Sequence, residues 1–127
     1  MFIFCFSAQT CSCQKVEVYS KIEGVSFPDD NGNSLFGIYE QQALPSFNRS
    51  LYANEDRMIM WTKNNEWIIK SNDNIYAKIS KNDTCPDFPY SKDWRVNRHG
   101  QWKNDIGLRI KAKSETCTAG MRLLIYL

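Results

Sequence analysis

Arg57-Met58-Ile59-Met60-Trp61-Thr62, then Lys63-Asn64-Asn65-Glu66, then Trp67-Ile68-Ile69-Lys70 is the stretch that decides the fold. Two short runs rich in β-branched and aromatic residues flank four polar ones, which predicts a β-hairpin. Asn tolerates the positive φ that a tight hairpin turn needs. Working outward, the same alternation of short apolar runs and Asn, Asp, Gly or Pro punctuation continues in both directions. Strands are predicted over Lys15–Ser20, Leu35–Glu40, Leu51–Ala53, Ile75–Ile79, Trp94–Val96, Leu108–Ala112 and Leu123–Leu127. Gly37 falls inside the second of these and predicts a bulge or a close backbone approach. Pro28 to Asn33 and Asn72-Asp73-Asn74 read as turns, and Cys85-Pro86 to Pro89 as a Pro-rich loop.

No helical face of useful length appears. Eleven Asn against six Ala, with 13% aromatics, disfavour long helices and favour strands and turns. The expected fold is all-β: a single small antiparallel sandwich, barrel or meander of about eight short strands, linked by disulfides. The chain has 127 residues, which suits one domain. Charged residues make up 24% and hydrophobic ones 43%, an ordinary globular mix. Sixteen basic and fourteen acidic residues leave a net charge of +2, so no nucleic-acid partner is called for. No stretch is long enough for a membrane span.

The first residues, Met1 to Ala8, form an apolar run that stops at small residues, as the tail of a signal peptide does. The run is short and lacks a basic leading region, and the competing reading is an ordinary first strand. The expected organisation is a signal-peptide remnant over 1–8 and a β-rich domain over 9–127. Removing Cys5 leaves Cys11, Cys13, Cys85 and Cys117, an even set. A Cys11–Cys13 bridge is strained, so Cys11 and Cys13 are each expected to join Cys85 or Cys117, in either order. A zinc site needs a second close cysteine pair, which the sequence lacks. Asn48-Arg49-Ser50 and Asn82-Asp83-Thr84 are glycosylation sequons. Cysteines and sequons point the same way, to a secreted, extracellular protein.

From Gly37 to Trp102, about half the chain, a further pattern runs through the sequence. Gly37-Ile38-Tyr39 is followed by Asn48-Arg49-Ser50-Leu51-Tyr52, Ile59-Met60-Trp61, Trp67-Ile68-Ile69, Cys85-Pro86 and Trp94. This order resembles a small β-rich module of large extracellular or multidomain proteins of invertebrates and protists. The module's pattern is Gly-x-Tyr, Asn-Gly-Arg-Pro-x-Tyr, an aromatic strand end, Trp-x-Ile, then Pro and a late Trp. The chain departs from it in the second motif, where the Gly is missing and Ser50 stands in place of Pro. The resemblance implies a fold; it carries no catalytic residue and no activity.

His99, the single histidine, lies in the turn-like Asn97-Arg98-His99-Gly100 and reads as a surface residue. No nucleophile elbow or phosphate-binding Gly-rich loop accompanies it. Asp29, Asp30 and Asn31 lack the ligand spacing of an EF-hand and read as a solvated turn, so no metal and no cofactor is expected. Of four tryptophans, Trp61, Trp67 and Trp94 sit beside apolar strand residues and read as core, whereas Trp102 has polar neighbours. The candidate binding residues are therefore Trp102, His99 and Arg98. The expected function is a secreted, non-catalytic module that binds an extracellular protein or glycan. The alternatives are a β-barrel carrier of a small apolar ligand and, behind it, a small hydrolase.

Overall fold

A computed structural model describes residues 4–87, 93–104, 107–113 and 119–126. They form eleven strands and no helix. In chain order these are β1 (Phe4–Cys11), β2 (Lys15–Ser20), β3 (Gly37–Gln41), β4 (Tyr52–Asn54), β5 (Arg57–Trp61), β6 (Trp67–Ser71), β7 (Asn74–Ile79), β8 (Arg95–Arg98), β9 (Gln101–Lys103), β10 (Leu108–Ala112) and β11 (Ala119–Tyr126). Nine of them form one antiparallel sheet in the order β10-β2-β3-β4-β5-β6-β7-β8-β9. The other two, β1 and β11, pair with each other from Phe4↔Tyr126 to Cys11↔Ala119.

The connectivity forces the sheet to curl. β9 and β10 are consecutive in the chain yet lie on opposite edges. Laid flat, eight strand spacings would part them by about 38 Å. The chain from Lys103 to Leu108 reaches about 18 Å at most. Eight antiparallel steps also leave β9 and β10 running in the same direction. β9 pairs with β8, and β10, just past Gly107 (φ 80°), pairs with β2. The result is a curled half-barrel sheet.

The register assigns the inner face. Val16↔Tyr39, Tyr52↔Ile59, Ile59↔Ile69, Trp61↔Trp67, Ile69↔Ala77 and Ala77↔Val96 are directly opposed pairs that point the same way. All of them are buried in one continuous core with Val18, Ile79, Leu108 and Ile110. Burial of such side chains contributes roughly 1.5–3 kcal/mol each relative to exposure.

Both ends of the half-barrel are closed by loops. At one end Phe27 and Leu35 plug the core from the β2–β3 loop, held by Leu35 N–H to Phe27 C=O at 2.8 Å. Four side chains tie this loop down. The Tyr39 hydroxyl donates to Leu35 C=O at 2.7 Å, Arg98 Nη2 to Ser26 C=O at 2.7 Å, and Arg57 Nη1 to Ser34 C=O; the Tyr76 hydroxyl accepts from Asp30 N–H at 3.0 Å. At the other end the Cys11–Cys85 disulfide, with Cα atoms 5.7 Å apart, fastens residues 81–86 to the end of β1. There the Tyr52 hydroxyl donates to Cys13 C=O at 2.8 Å.

Burial pushes the Tyr39 phenol above its ordinary value of 10.0, with Arg57 opposing, and pushes Tyr52 up likewise, with Asp87 adding to the rise. The unfolded chain therefore loses these protons first. Below pH 10 both states are protonated and the groups add no pH dependence. Above pH 10 the unfolded state is favoured, by about 1.4 kcal/mol per pH unit for each phenol. Chemical denaturation across pH 9–12 should show stability falling from about pH 10 upward. Burial raises the Tyr76 phenol as well, so Tyr52→Phe should lower the slope by roughly a third. An unchanged slope in that variant would place the ionising group elsewhere.

The sequence-level hairpin is present: Arg57–Trp61 pairs with Trp67–Ser71, and Asn65 adopts φ 60° in the turn. β2 and β10 match their expected bounds residue for residue. Gly37 opens β3 at φ 137° instead of interrupting it; the bulge lies where Ile69/Lys70 of β6 meet β7. Eleven strands stand where about eight are expected. The additions include β9 and β1, which covers most of the residues read as a signal remnant. Cys11 joins Cys85, one of the two expected outcomes, and Cys13 is also disulfide-bonded. Cys117 lies outside the described residues.

Candidate binding surface

β8 and β9 form a hairpin with Arg98↔Gln101, Asn97↔Trp102 and Val96↔Lys103 opposed. Its two-residue tip is His99 at φ 54° and Gly100 at φ 81°. Positive φ at both central positions is the type I′ geometry, whose twist matches that of the flanking strands. His99 therefore stands exposed at a hairpin tip.

Alternation then separates the three candidate residues. Trp102 pairs with Asn97, and Val96 beside it faces the core, so Trp102 and Asn97 face outward. Trp102 is half-buried, with Lys78 Nζ 4.2 Å from its ring centroid, a cation–π contact. Arg98, one residue on from Asn97, lies on the other face and is engaged with Ser26. The structure thus brings Trp102 together with Lys78 and Asn97, and not with Arg98. Asn97 Oδ1 and Arg98 Nε are shielded and make no hydrogen bond among the described residues.

The outward strand positions of β6–β9 are Lys70, Ile75, Lys78, Arg95, Asn97 and Trp102, with Ile68 on the same side of the sheet but buried. None is acidic. The β6–β7 bulge re-aims this face: Ile69 opposes Ala77, but Lys70 opposes Ile75, so Tyr76 is the extra residue. Ile75 is turned outward and left 39% exposed. Across the sheet the opposite pattern holds. Lys15 pairs with Glu40 at 3.7 Å, and Lys111 and Lys113 with Glu17 at 3.6 and 4.0 Å. Among the described residues Lys70, Lys78 and Arg95 form no ion pair. Lys70, Lys78 and Arg95 thus stand on one face with no acidic strand position beside them.

Beside this face, between the end of β9 and the start of β10, lies a cleft of about 640 Å³. Lys21, Arg95, Arg109, Asp93 and Asn104 line it, with Trp94 as a fully buried floor. Lys21 N–H donates to Gly107 C=O at 2.7 Å and closes one rim. Arg95 borders both face and cleft.

The Asp29 segment is a turn. Asp29 Oδ1 accepts from Asn31 and Asn33 N–H, each at 2.9 Å, an Asx-type arrangement that occupies the carboxylate. No group of three His, Cys, Asp or Glu side chains suited to a metal stands together among the described residues. The sequon residues Asn48 and Asn82 are both exposed. No helix among the described residues is long and apolar enough to cross a membrane. The Cys11–Cys85 disulfide fits an extracellular protein.

Trp102 was legible in the sequence from its polar neighbours. Lys78, Arg95 and Asn97 were not, because their grouping depends on the β7-β8-β9 register and on the bulge. Comparison with family models, with curated proteins and with solved structures finds no match.

Proposed function

We propose that the chain is an extracellular, non-catalytic binding module that recognises an acidic glycan through the outer face of β6–β9. The observation that carries this reading is the ion-pair-free cationic face around the half-buried Trp102. Unpaired cations attract an anionic partner and steer its approach. An indole supplies stacking area at low entropic cost, and Asn adds adaptable hydrogen bonding. The inner face is occupied by buried Tyr39, Tyr52, Trp61 and Trp67, which favours surface recognition over carriage of a ligand inside. His99, at its exposed hairpin tip, makes no side-chain hydrogen bond among the described residues.

The test is a glycan and extracellular-protein array run beside a broad hydrolase panel. Binding should concentrate on sulfated or uronic-acid glycans and weaken steeply between 50 and 300 mM salt, roughly the range over which the screening length halves. Trp102→Ala and Lys78→Glu should each lower affinity about tenfold or more. Both side chains lie outside the core, so unfolding free energies should stay within about 1 kcal/mol of the parent, the worth of the lost cation–π contact. Acidic proteins as the sole ligands would move the partner class. Turnover abolished by His99→Ala would overturn the reading.

A further inference from the structure

The β3–β4 connection carries a strained, outward-facing turn. Ser46 N–H donates to Arg49 C=O at 2.8 Å, and Arg49 N–H to Ser46 C=O at 3.0 Å. The two central residues, Phe47 and Asn48, have φ of 47° and 66°. This is again the type I′ form, which favours Asn and Gly. Asn48 suits it; Phe47 does not, since a bulky side chain at positive φ is an outlier. The residue is also 56% exposed. An aromatic residue held in a costly conformation and displayed to solvent points to a function at that position.

The flanks make the turn rigid. Arg49 stacks over Trp61 at 3.9 Å and donates to Asp83 C=O and to Asn82 Oδ1, each at 2.7 Å. Ser50 Oγ accepts from Cys11 N–H at 2.9 Å and from Gln41 Nε2 at 2.6 Å. At the tip the Asn48 side chain makes no hydrogen bond among the described residues. Asn82, the other sequon asparagine, already holds Arg49 through its Oδ1.

We propose that Asn48 carries an N-linked glycan whose first sugar packs on the Phe47 ring, so that the turn is a seat for a covalent cap. The proposal rests on the extracellular reading above. A pyranose ring presents a face of C–H groups, and an aromatic ring presents a negative face to receive them. Neighbours in a two-residue turn place the two side by side. The Asn48 Nδ2–C1 bond forms as the C1–O bond of a lipid-pyrophosphate-linked sugar donor breaks; the lipid pyrophosphate departs, and Nδ2 gives up one proton. The Ser50 hydroxyl that completes the acceptor motif is buried in the folded chain. Transfer therefore precedes closure of this end of the half-barrel.

The experiment compares the full chain, exported through a eukaryotic secretory pathway and trimmed to one sugar per site, with unglycosylated chain made in an oxidising bacterial periplasm. Each is made with Phe47 and with Phe47→Ala. Peptide mass spectrometry reads occupancy at Asn48, and thermal unfolding reads the cap. The gain in Tm on glycosylation should be about 3–6 °C larger with Phe47 present than with Phe47→Ala. A sugar on Asn82 contributes equally to both differences and cancels. Equal gains in the two backgrounds would overturn the packing. An unmodified Asn48 in secreted, disulfide-bonded protein would overturn the cap while export stands. Retention of the chain with Cys11 and Cys85 reduced would overturn the extracellular reading itself, and the cap with it.

Discussion

Trp67→Ala should destabilise the fold by about 3–5 kcal/mol, measured as a drop in the denaturant midpoint at unchanged m-value. Trp67 is fully buried and stands edge-on to Trp61, with ring centroids 5.7 Å apart and planes at 64°. Truncation opens a cavity in the half-barrel floor and removes this aromatic pair. It also removes the Nε1 donor to Asp83 C=O at 2.8 Å, which helps to hold the 81–86 segment over the core. Trp67→Phe should restore most of the packing and leave roughly 1 kcal/mol of the loss, the worth of a typical hydrogen bond. A loss below about 1 kcal/mol for Trp67→Ala would mean that the ring is not in the core.

Replacing Cys11 and Cys85 together by Ala should cost a comparable amount. The bridge spans 74 residues. A loop of that length restricts the unfolded chain by about 4–5 kcal/mol in the entropy model. Total stabilities of small domains are about 5–15 kcal/mol, so either change removes a large share. Non-reducing peptide mapping provides the companion check and should recover the Cys11–Cys85 peptide. Free thiols at both positions would contradict the closure of this end of the half-barrel and remove a main support for export.

Some of the fold could be read directly from residue order. The 57–70 hairpin announces itself because two apolar runs flank a polar turn, and because Asn65 accepts the positive φ that the turn demands. Leu108–Ala112 alternates cleanly and forms the expected strand. Gln101-Trp102-Lys103 is too short for alternation to show; it becomes a strand because β8 offers an edge and His99-Gly100 supply a type I′ turn. The neighbours β10 and β2 are about ninety residues apart in the chain, a separation no local pattern encodes. Gly37 illustrates a different limit. Glycine signals an unusual backbone, but the same signal fits a strand's start as well as its interior. The actual bulge falls on Tyr76, where β-rich sequence gives no cue.

The binding face divides in the same way. Trp102 was visible because its neighbours Gly100, Gln101 and Lys103 are not core residues. Arg98 was grouped with it by proximity in sequence, and strand alternation puts it on the opposite face, bonded to Ser26. Lys78 reads in sequence as one of several solvated lysines. Only the pairing Lys78↔Arg95, next to Asn97↔Trp102, gathers these groups.

The most direct measurement is an NMR footprint of two probes on the isotope-labelled protein: a sulfated oligosaccharide and a long-chain fatty acid. Surface recognition predicts that the oligosaccharide shifts the Trp102 indole N–H and the amides of Lys78, Arg95 and Asn97, that Trp102→Ala abolishes these shifts, and that the fatty acid shifts nothing. Shifts of Tyr39, Tyr52 and Ile59 on the inner face with the fatty acid, and none around Trp102 with the oligosaccharide, would contradict it and identify a carrier.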